Sequence, residues 1–534
     1  MTYRRLFSLR QAVPQNAVPQ SEPLPGQSLN NAGGHWYEVG DWGQLDRFLL
    51  LGSEGGTYYV GERALTRDNA MAVQRCLIED GQRVVARTVE ISQAGRAPRN
   101  DPALFVLAMA AAAEDEATRR AALSAIPLVA RTGTHILAFA DMIEGFRGWG
   151  RGLRRGVARW FTAQDPNRLA LQAVKYMNRG GWALRDLLRL AHPLTDEAAT
   201  RVLFDWIAHP NQADAVGAAR AAFPLVDGLY RIREASGPTE AAAIIRNRRL
   251  PREAVPTELL TAPEVWESLL ADMPLGALIR NLGKLSQVGL LNVGSEAAAT
   301  IVRRLADGEA LSRARIHPVQ VLLALKTYAQ GHGERGKLNW TPVPAVVDAL
   351  DGAFDRAFAA IEPTGKRLLV GVDVSGSMHG TRCAGSPTLS AIEAAASMAM
   401  AFVRTERQVE VVAFDTELHS APLTPRQRLD DVVRLFGQWQ GGTDIALPIS
   451  YALERKLEVD AIVVITDNET WAGRQHPIQA LKRYRETVNP AAKAVVLAAT
   501  ANAGSVVPDD DPLSLGCAGF DAAVPQVVTG FLKG

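Results

Sequence analysis

Apolar residues recur at three- and four-residue spacing through 103–114, 118–131, 134–146, 152–160, 198–207 and 316–330, and short turns with Pro, Gly or Asn separate these stretches. That period puts the apolar positions on one face of a helix, so the pattern predicts helices, the first over 43–51 and the last near residue 360. About fifteen such helices with short connections and no strand signal fit poorly into one bundle, whereas stacked helix pairs in a solenoid bury them naturally. No strict sequence repeat accompanies the pattern, which leaves a compact irregular helical domain as the alternative. Ahead of the helices, 11–34 is rich in Pro, Gln, Asn and Gly with little apolar content, and predicts an extended arm.

The period changes at Glu362-Pro363-Thr364-Gly365-Lys366. Beyond it, near-continuous apolar runs at 367–373, 409–415, 461–467 and 493–498 predict buried strands, alternating with helical patterns at 389–405, 424–436, 445–456 and 477–485. Such alternation predicts the α/β class, a doubly wound parallel sheet whose ligands bind at the carboxyl ends of the strands. The chain thus divides into an N-terminal arm over 1–34, a helical domain over 35–361 and an α/β domain over 362–534.

At 534 residues the chain is long enough for two or more well-filled cores. Cys76, Cys383 and Cys517 lie far apart, which argues against a disulfide framework or zinc knuckle and for a reducing compartment. The first fifteen residues lack a signal-peptide core, and no later segment approaches the roughly 20 apolar residues of a membrane span, so a soluble cytoplasmic protein is expected. A net charge of +1 gives no global pull toward nucleic acid, which leaves local clustering to decide.

The chemistry is written at strand ends. The run Leu368-Leu369-Val370-Gly371-Val372 leads into Asp373-Val374-Ser375-Gly376-Ser377, which brings one carboxylate and two hydroxyls together on a tight loop. Gly441-Gly442-Thr443-Asp444 adds a hydroxyl before a helix, and Ile462-Val463-Val464-Ile465-Thr466-Asp467 ends a second strand on a carboxylate. These are hard oxygen ligands of the kind Mg²⁺ or Mn²⁺ prefers. The three elements in this order resemble the metal-ion-dependent adhesion site of von Willebrand factor A domains. The resemblance implies a divalent cation (Mg²⁺ or Mn²⁺) contacted by Ser375, Ser377 and Thr443, with Asp373 and Asp467 binding directly or through water. With few carboxylates, Asp444 placed to cap the following helix, and His379 alone in a loop, no residue is assigned a catalytic role.

Local charge clustering does occur. Between Phe146 and Leu190 stand ten Lys or Arg against two acids, Asp165 and Asp186. Arg147, Arg151, Arg154, Arg155 and Arg159 share one helical stripe, Lys175 and Arg179 are four apart, and Arg185, Arg189 and His192 share a face. This is the footprint of a phosphate-backbone binder, or else a set of solvated faces pairing with acids elsewhere. Trp149, Trp160, Tyr176 and Trp182 interleave with the cations, although most aromatics at helical spacing are core.

Several strings resemble the TROVE module of the Ro ribonucleoprotein autoantigen family. They are Phe48-Leu49-Leu50-Leu51-Gly52-Ser53-Glu54-Gly55-Gly56-Thr57-Tyr58-Tyr59, Pro256-Thr257-Glu258-Leu259-Leu260, Arg280-Asn281-Leu282-Gly283-Lys284-Leu285, Arg315-Ile316-His317-Pro318, Gly331-His332-Gly333 and Glu362-Pro363-Thr364-Gly365-Lys366-Arg367. Thr466-Asp467-Asn468-Glu469-Thr470 continues the likeness into the α/β domain. The resemblance implies a ring of HEAT-like α-helical repeats, closed through a von Willebrand A domain that touches both ends of the solenoid. It implies an RNA-binding ribonucleoprotein scaffold and not an enzyme. Such a scaffold holds Y RNA on its outer surface, and single-stranded 3′ ends of misfolded or precursor noncoding RNA through the ring. It works in RNA quality control with an exoribonuclease such as polynucleotide phosphorylase. The stretch 175–192 matches the family's Y-RNA segment, which assigns RNA binding to Lys175, Arg179 and His192; Met177 and Asn178 depart from its more basic version. The alternatives are a protein-binding adhesion-type module acting through the metal site and a single-metal ribonuclease.

Overall fold

The computed structural model describes residues 14, 16–53, 57–176, 178–179 (backbone only), 181–314, 316–333, 337–357, 363–382, 389–520 and 523–533. Glu54, Gly55, Gly56, Met177, Gly180, Arg315 and Glu362 of the strings above lie outside the described residues, as do Cys383, residues 1–13 of the arm and the boundary at 361 and 362.

The first half is helical, as its period predicts. Helices Asp101–Ala112, Glu116–Val129, Gly133–Glu144 and Arg151–Thr162 each pack on neighbours close in sequence, and the stacking continues through Ala198–Ala208, Pro238–Arg248 and Leu275–Gln287 to Pro318–Ala329. Starts are set by side-chain caps: Asp115 accepts the Thr118 amide, Thr132 that of His135, and Asp165 those of Asn167 and Arg168. The longest helix, Glu62–Ala94, escapes the apolar pattern because its buried face also carries Asn69, Gly81, Thr88 and Ser92. It kinks at Asp80, whose carboxylate accepts the Arg83 amide like a new N-cap. Gly81 lies against Thr118, where a Cβ would come within 2.2 Å of the hydroxyl oxygen.

The solenoid closes on itself. His317 caps Pro318–Ala329 by accepting the Val319 amide on Nδ1 (3.1 Å), and its Nε2–H donates to the carbonyl of Arg96 (3.0 Å), 221 residues away. Gln320 donates to the carbonyl of Pro98 beside it (2.9 Å). Both ring nitrogens of His317 are thus committed in the neutral form, and burial pushes its pKa down to about 4. A histidine whose folded pKa lies below its unfolded value stabilises the fold above about pH 6.5, and that contribution is lost as the pH falls toward 4. We expect acid to loosen this junction in that window by roughly 3 kcal/mol in total, and His317→Asn to flatten the loss. Denaturant unfolding at pH 7 and pH 5 checks this; an equal pH effect in wild type and variant would contradict it.

The second half is a six-stranded sheet in the order Ser514–Ala518, Lys493–Ala498, Ala461–Thr466, Arg367–Asp373, Gln408–Phe414, Leu418–Ser420. Five strands are parallel and Leu418–Ser420 adds an antiparallel edge, so the parallel sheet read from the sequence is extended at both sides by short strands. Leu369, Val412, Phe414, Ile462 and Val464 face a core under helices Ala446–Arg455 and Pro477–Thr487. Leu368, Val370 and Val372 face the other way, into an apolar cluster continuous with that of the helical domain.

The arm is not simply extended. Gln27–Leu29 and His35–Glu38 pair antiparallel, and Gly504–Ser505 of the α/β domain joins them as a third strand. Trp36 covers Gly504 so closely that a Cβ there would meet the indole at 1.9 Å. The α/β domain also grips both ends of the solenoid. Arg47, buried on helix Asp41–Leu51, donates to the carbonyls of Asn502 and Gly504 (2.9 and 2.6 Å). At the other end Lys326 pairs with Glu393, Asp348 with Arg428 (2.7 Å) and Asp355 with Arg404. The fold is therefore a closed helical-repeat ring joined at its seam to a doubly wound α/β domain. No described helix is long and apolar enough to cross a membrane.

Candidate functional site

Parallel pairing of Arg367–Asp373 with Ala461–Thr466 brings the carboxyl ends of both strands to one edge, where Asp373 and Asp467 lie buried. Asp373 accepts the Ser375 amide on one oxygen (2.9 Å) and the Thr466 hydroxyl on the other (2.6 Å). Ser375 begins the short helix Gly376–Gly380, which turns Ser377 back so that the two serine Oγ atoms are 3.1 Å apart. The Gly376 amide donates to the Gly441 carbonyl (3.0 Å), and the Trp471 and Ala472 amides donate to the Thr443 carbonyl (3.1 and 3.0 Å). These bonds fix the third loop to the other two, so all five residues read from the sequence meet at one edge.

Among the described residues, Thr443 Oγ1 and Asp467 Oδ2 are buried with no hydrogen-bond partner. Burial and the neighbouring Asp467 charge push the pKa of Asp373 up, and burial pushes that of Asp467 up. A buried orphan hydroxyl and two adjacent carboxylates are costly by themselves, and a cation among them answers both deficits. Three hydroxyls and two carboxylates fit Mg²⁺ or Mn²⁺. The described residues hold no cluster of three or more His, Cys, Asp or Glu arranged for an ion, so an ion here depends on the hydroxyls.

The surroundings place the rest of the motif. Asp444 caps Ala446–Arg455 through the Ala446 amide (3.0 Å), as its position suggests. His379 is not alone in a loop: it lies on helix Gly376–Gly380, and its Nε2–H donates to the Trp439 carbonyl (2.8 Å). The arm supplies residues that no local pattern marks. Gln20, fully buried, donates to Asp444 and to the Gln475 carbonyl (both 2.8 Å) and accepts the Thr470 hydroxyl. The Asn31 backbone and side-chain amides donate to the two oxygens of Glu469 (2.9 and 2.7 Å), whose pKa burial lifts to about 7.

On the helical domain, Arg151, Arg154, Arg155 and Arg159 lie exposed on Arg151–Thr162, opposite buried Leu153, Gly156, Val157, Trp160 and Phe161. Among the described residues none of the four has a carboxylate partner; Arg154 donates to the Trp149 carbonyl (3.1 Å) and Arg159 to the Ser124 hydroxyl (3.0 Å). Arg147 departs from the stripe, because it precedes the helix and donates to the Ala111 carbonyl (2.7 Å). Trp160 is core and Trp149 packs on Trp182 at 5.3 Å between centroids.

The three residues assigned to RNA differ in character. Lys175 ends helix Pro166–Lys175, with its ammonium 3.6 Å from Glu253 and 5.3 Å from the Tyr176 ring centroid, so it is a largely covered, paired cation. Arg179 lies on strand Asn178–Arg179, paired with Trp182–Ala183; its side chain is outside the described residues. His192 is the exposed left-handed C-cap of Leu184–Ala191, at φ +44°.

A cavity of about 770 Å³ lies where the ends of the solenoid meet, lined in part by Arg99, Arg252, Arg280, Lys284, Trp266 and Trp340. Arg252 and Arg280 are exposed, and the Arg252 guanidinium stands 5.8 Å from the Trp266 ring centroid. Trp340 lies flat on Gly283, where a Cβ would meet the indole at 2.7 Å, and runs nearly parallel to Tyr328 (14° between planes). The strings 256–260 and 280–285 thus converge on one wall, which their sequence positions do not reveal. Trp266 itself is fully buried, so this wall offers a single-stranded nucleic acid its cations and the half-buried Trp340.

Known proteins match this arrangement. The family model described as the Ro60 vWA domain matches residues 367–532, and that described as the TROVE domain matches 28–219 and 246–327. A Deinococcus radiodurans protein named RNA-binding protein RO60 is 41% identical over 532 residues, covering 98% of this chain and 99% of its own. A Caenorhabditis elegans protein of the same name is 33% identical over 585 residues, covering 95% of this chain and 90% of its own. The crystal structure of the Deinococcus radiodurans RO (RSR) protein superposes with a TM-score of 0.71 at 39% identity, over 92% of this chain and 99% of that one.

Proposed function

The chain belongs to the Ro60 family, with a TROVE domain and a vWA domain, and from that premise we propose that it is an RNA-binding scaffold and not a nuclease. The observation that carries this reading is the face formed by Arg151, Arg154, Arg155 and Arg159, four exposed cations without a carboxylate partner among the described residues. A face that pairs with neighbouring acids is neutralised in place, whereas an unpaired one keeps its charge for phosphates. This face receives the structured part of a Y RNA, to which Lys175, Arg179 and His192 are also assigned. The cavity beside Arg252, Arg280 and Trp266 receives an unpaired 3′ end of a misfolded or precursor RNA, which is then handed to an exoribonuclease such as polynucleotide phosphorylase. The setting is cytoplasmic.

The ion belongs to the same reading. Ser375, Ser377 and Thr443 would hold Mg²⁺ or Mn²⁺ directly, with Asp373 and Asp467 directly or through water. When bound, it offsets two buried carboxylates and leaves a position for recognition. His379 does not support a ribonuclease, since its Nε2–H is already donated to Trp439. A gel shift with a small structured RNA bearing a 3′ tail, followed by recovery of the RNA after incubation with Mg²⁺, tests the reading. Retarded, full-length RNA is expected; shortened RNA would mean a nuclease.

A further inference from the structure

The loop that carries Asp467 runs from strand Ala461–Thr466 to residue 476 without helix or strand, so no ladder of backbone bonds holds it. Its polar groups are committed in two directions. Toward the strand-end site, the Trp471 and Ala472 amides donate to the Thr443 carbonyl (3.1 and 3.0 Å), and the Thr470 hydroxyl accepts the Ile445 amide (3.3 Å). The other bonds go to the N-terminal arm. Asn30 donates its side-chain amide to the Thr470 carbonyl (2.7 Å), Asn31 holds Glu469 through two amides, and the Gln20 backbone amide donates to the Gly473 carbonyl (2.9 Å). The fully buried Gln20 side chain spans both loops: Nε2 donates to Asp444 Oδ1 and to the Gln475 carbonyl (both 2.8 Å), while Oε1 accepts the Thr470 hydroxyl. The approach is so close that a Cβ on Gly473 would collide with the Gln20 amide and the Asp444 carboxylate, and one on Gly34 with the Thr470 carbonyl.

We propose that Gln20 is a positioning residue of the ion site, through which the arm sets Thr443 and Asp467 against Asp373, Ser375 and Ser377. The proposal rests on the reading of this edge as a divalent-cation site. Asp373 ends a central strand and Ser377 lies on a helix, so the sheet itself places them; Thr443 stands in the connection 437–445 and Asp467 opens the loop to 476, which the sheet does not place. Gln20 touches neither ligand. It acts through Asp444, the neighbour of Thr443, and through Thr470, whose next two residues hold the Thr443 carbonyl. A glutamine suits this position because one amide supplies two donors and an acceptor, and the two loops present a carboxylate, a carbonyl and a hydroxyl that burial makes costly to leave unmet. Linkage makes the effect reciprocal: whatever the seated arm adds to ion affinity, the ion adds to the seating of the arm. The arm continues through strand His35–Glu38 into helix Asp41–Leu51, so ion occupancy bears on the end of the ring that Arg47 fastens to the α/β domain.

The test uses the full chain with Mn²⁺ alone as the probe. Calorimetry gives the affinity of wild type, Gln20→Leu and Gln27→Ala, each at a temperature where thermal unfolding shows it folded, and hydrogen exchange at the Trp471 and Ala472 amides is read with and without the ion. Gln27 is the control within the arm, because its side chain reaches His476 (3.4 Å) and the Leu24 amide and neither of the two loops at Thr443 or Thr470. We expect Gln20→Leu to weaken Mn²⁺ binding by about five- to tenfold, the size of one hydrogen bond, and to speed exchange at 471 and 472 in the absence of the ion. Gln27→Ala should stay within about twofold of wild type. In wild type, saturating Mn²⁺ should slow exchange at these two amides by about fivefold or more. Equal Mn²⁺ affinity in wild type and Gln20→Leu overturns the role of Gln20 while leaving the ion site intact. Equal weakening by both variants reduces the arm to general support and overturns it as well. Exchange at 471 and 472 that is indifferent to Mn²⁺ in wild type also overturns it, and that measurement needs no variant to fold. Absence of Mn²⁺ binding to wild type overturns the ion reading itself and the inference with it.

Discussion

Replacing Arg151, Arg154, Arg155 and Arg159 together by glutamine is expected to weaken binding of a structured RNA by roughly a hundredfold to a thousandfold near 0.15 M salt. The slope of log affinity against log salt should fall by about three, since each lost phosphate contact removes slightly less than one unit. The four side chains project from the face of Arg151–Thr162 opposite Leu153, Val157 and Trp160, so the apolar packing is untouched and stability should move by only about 0.5 kcal/mol per site or less. Lys175→Ala serves as the contrast. Its ammonium is already paired with Glu253, so it should change the slope by less than any one of the four arginines. Filter binding over a range of salt concentrations reads both numbers. An unchanged slope in the fourfold variant would reduce the stripe to a solvated helix face.

Removing one carboxylate from the strand-end site has the other large effect. With Mg²⁺ or Mn²⁺ at a hundred times its dissociation constant, wild type should gain about 2.7 kcal/mol of stability from occupancy alone, and Asp373→Ala should gain almost none. The pH dependence follows from the direction of the shifts. The folded, ion-free protein holds protons on Asp373 and Asp467 at pH values where the unfolded chain has released them. Its stability therefore falls as pH rises above about 4 through the raised folded values. An ion displaces those protons, so its binding should tighten over the same rise. Calorimetric titration at pH 5.5 and 7.5 checks the sign, and tighter binding in acid would contradict the arrangement.

The meeting of these side chains at one edge was legible because each lies next to its strand end: Asp373, Ser375 and Ser377 within five positions, and Asp467 directly after an unbroken apolar run. Parallel pairing then does the assembly without further information. The ring seam was not legible, since it rests on one histidine reaching a carbonyl 221 residues away, and a lone His before Pro reads equally well as a helix cap. His317 is in fact both. The arm misled for a related reason. Strands of three and four residues carry too little period to register, and their third partner, Gly504–Ser505, lies at the far end of the chain. Charge spacing placed four arginines correctly but assigned Arg147 to the same stripe, although the helix begins only at Arg151. Spacing also could not foresee that Lys175 would meet Glu253, which sequence separates by 78 positions.

On the proposed function, one molecule holds the folded part of an RNA on its basic helix face and an unpaired 3′ end beside Arg252, Arg280 and Trp340, without cutting either. The most direct measurement is the affinity for one hairpin carrying 3′ tails of increasing length and several compositions, with blunt and 5′-tailed hairpins as controls. Backbone-tracking cations and aromatic planes bind single strands with little regard to sequence, while a duplex about 20 Å wide does not enter a cavity of this size. Affinity should therefore rise with 3′ tail length and then level off, be indifferent to tail composition, and leave the RNA at full length. Equal binding of blunt, 5′-tailed and 3′-tailed hairpins would contradict it.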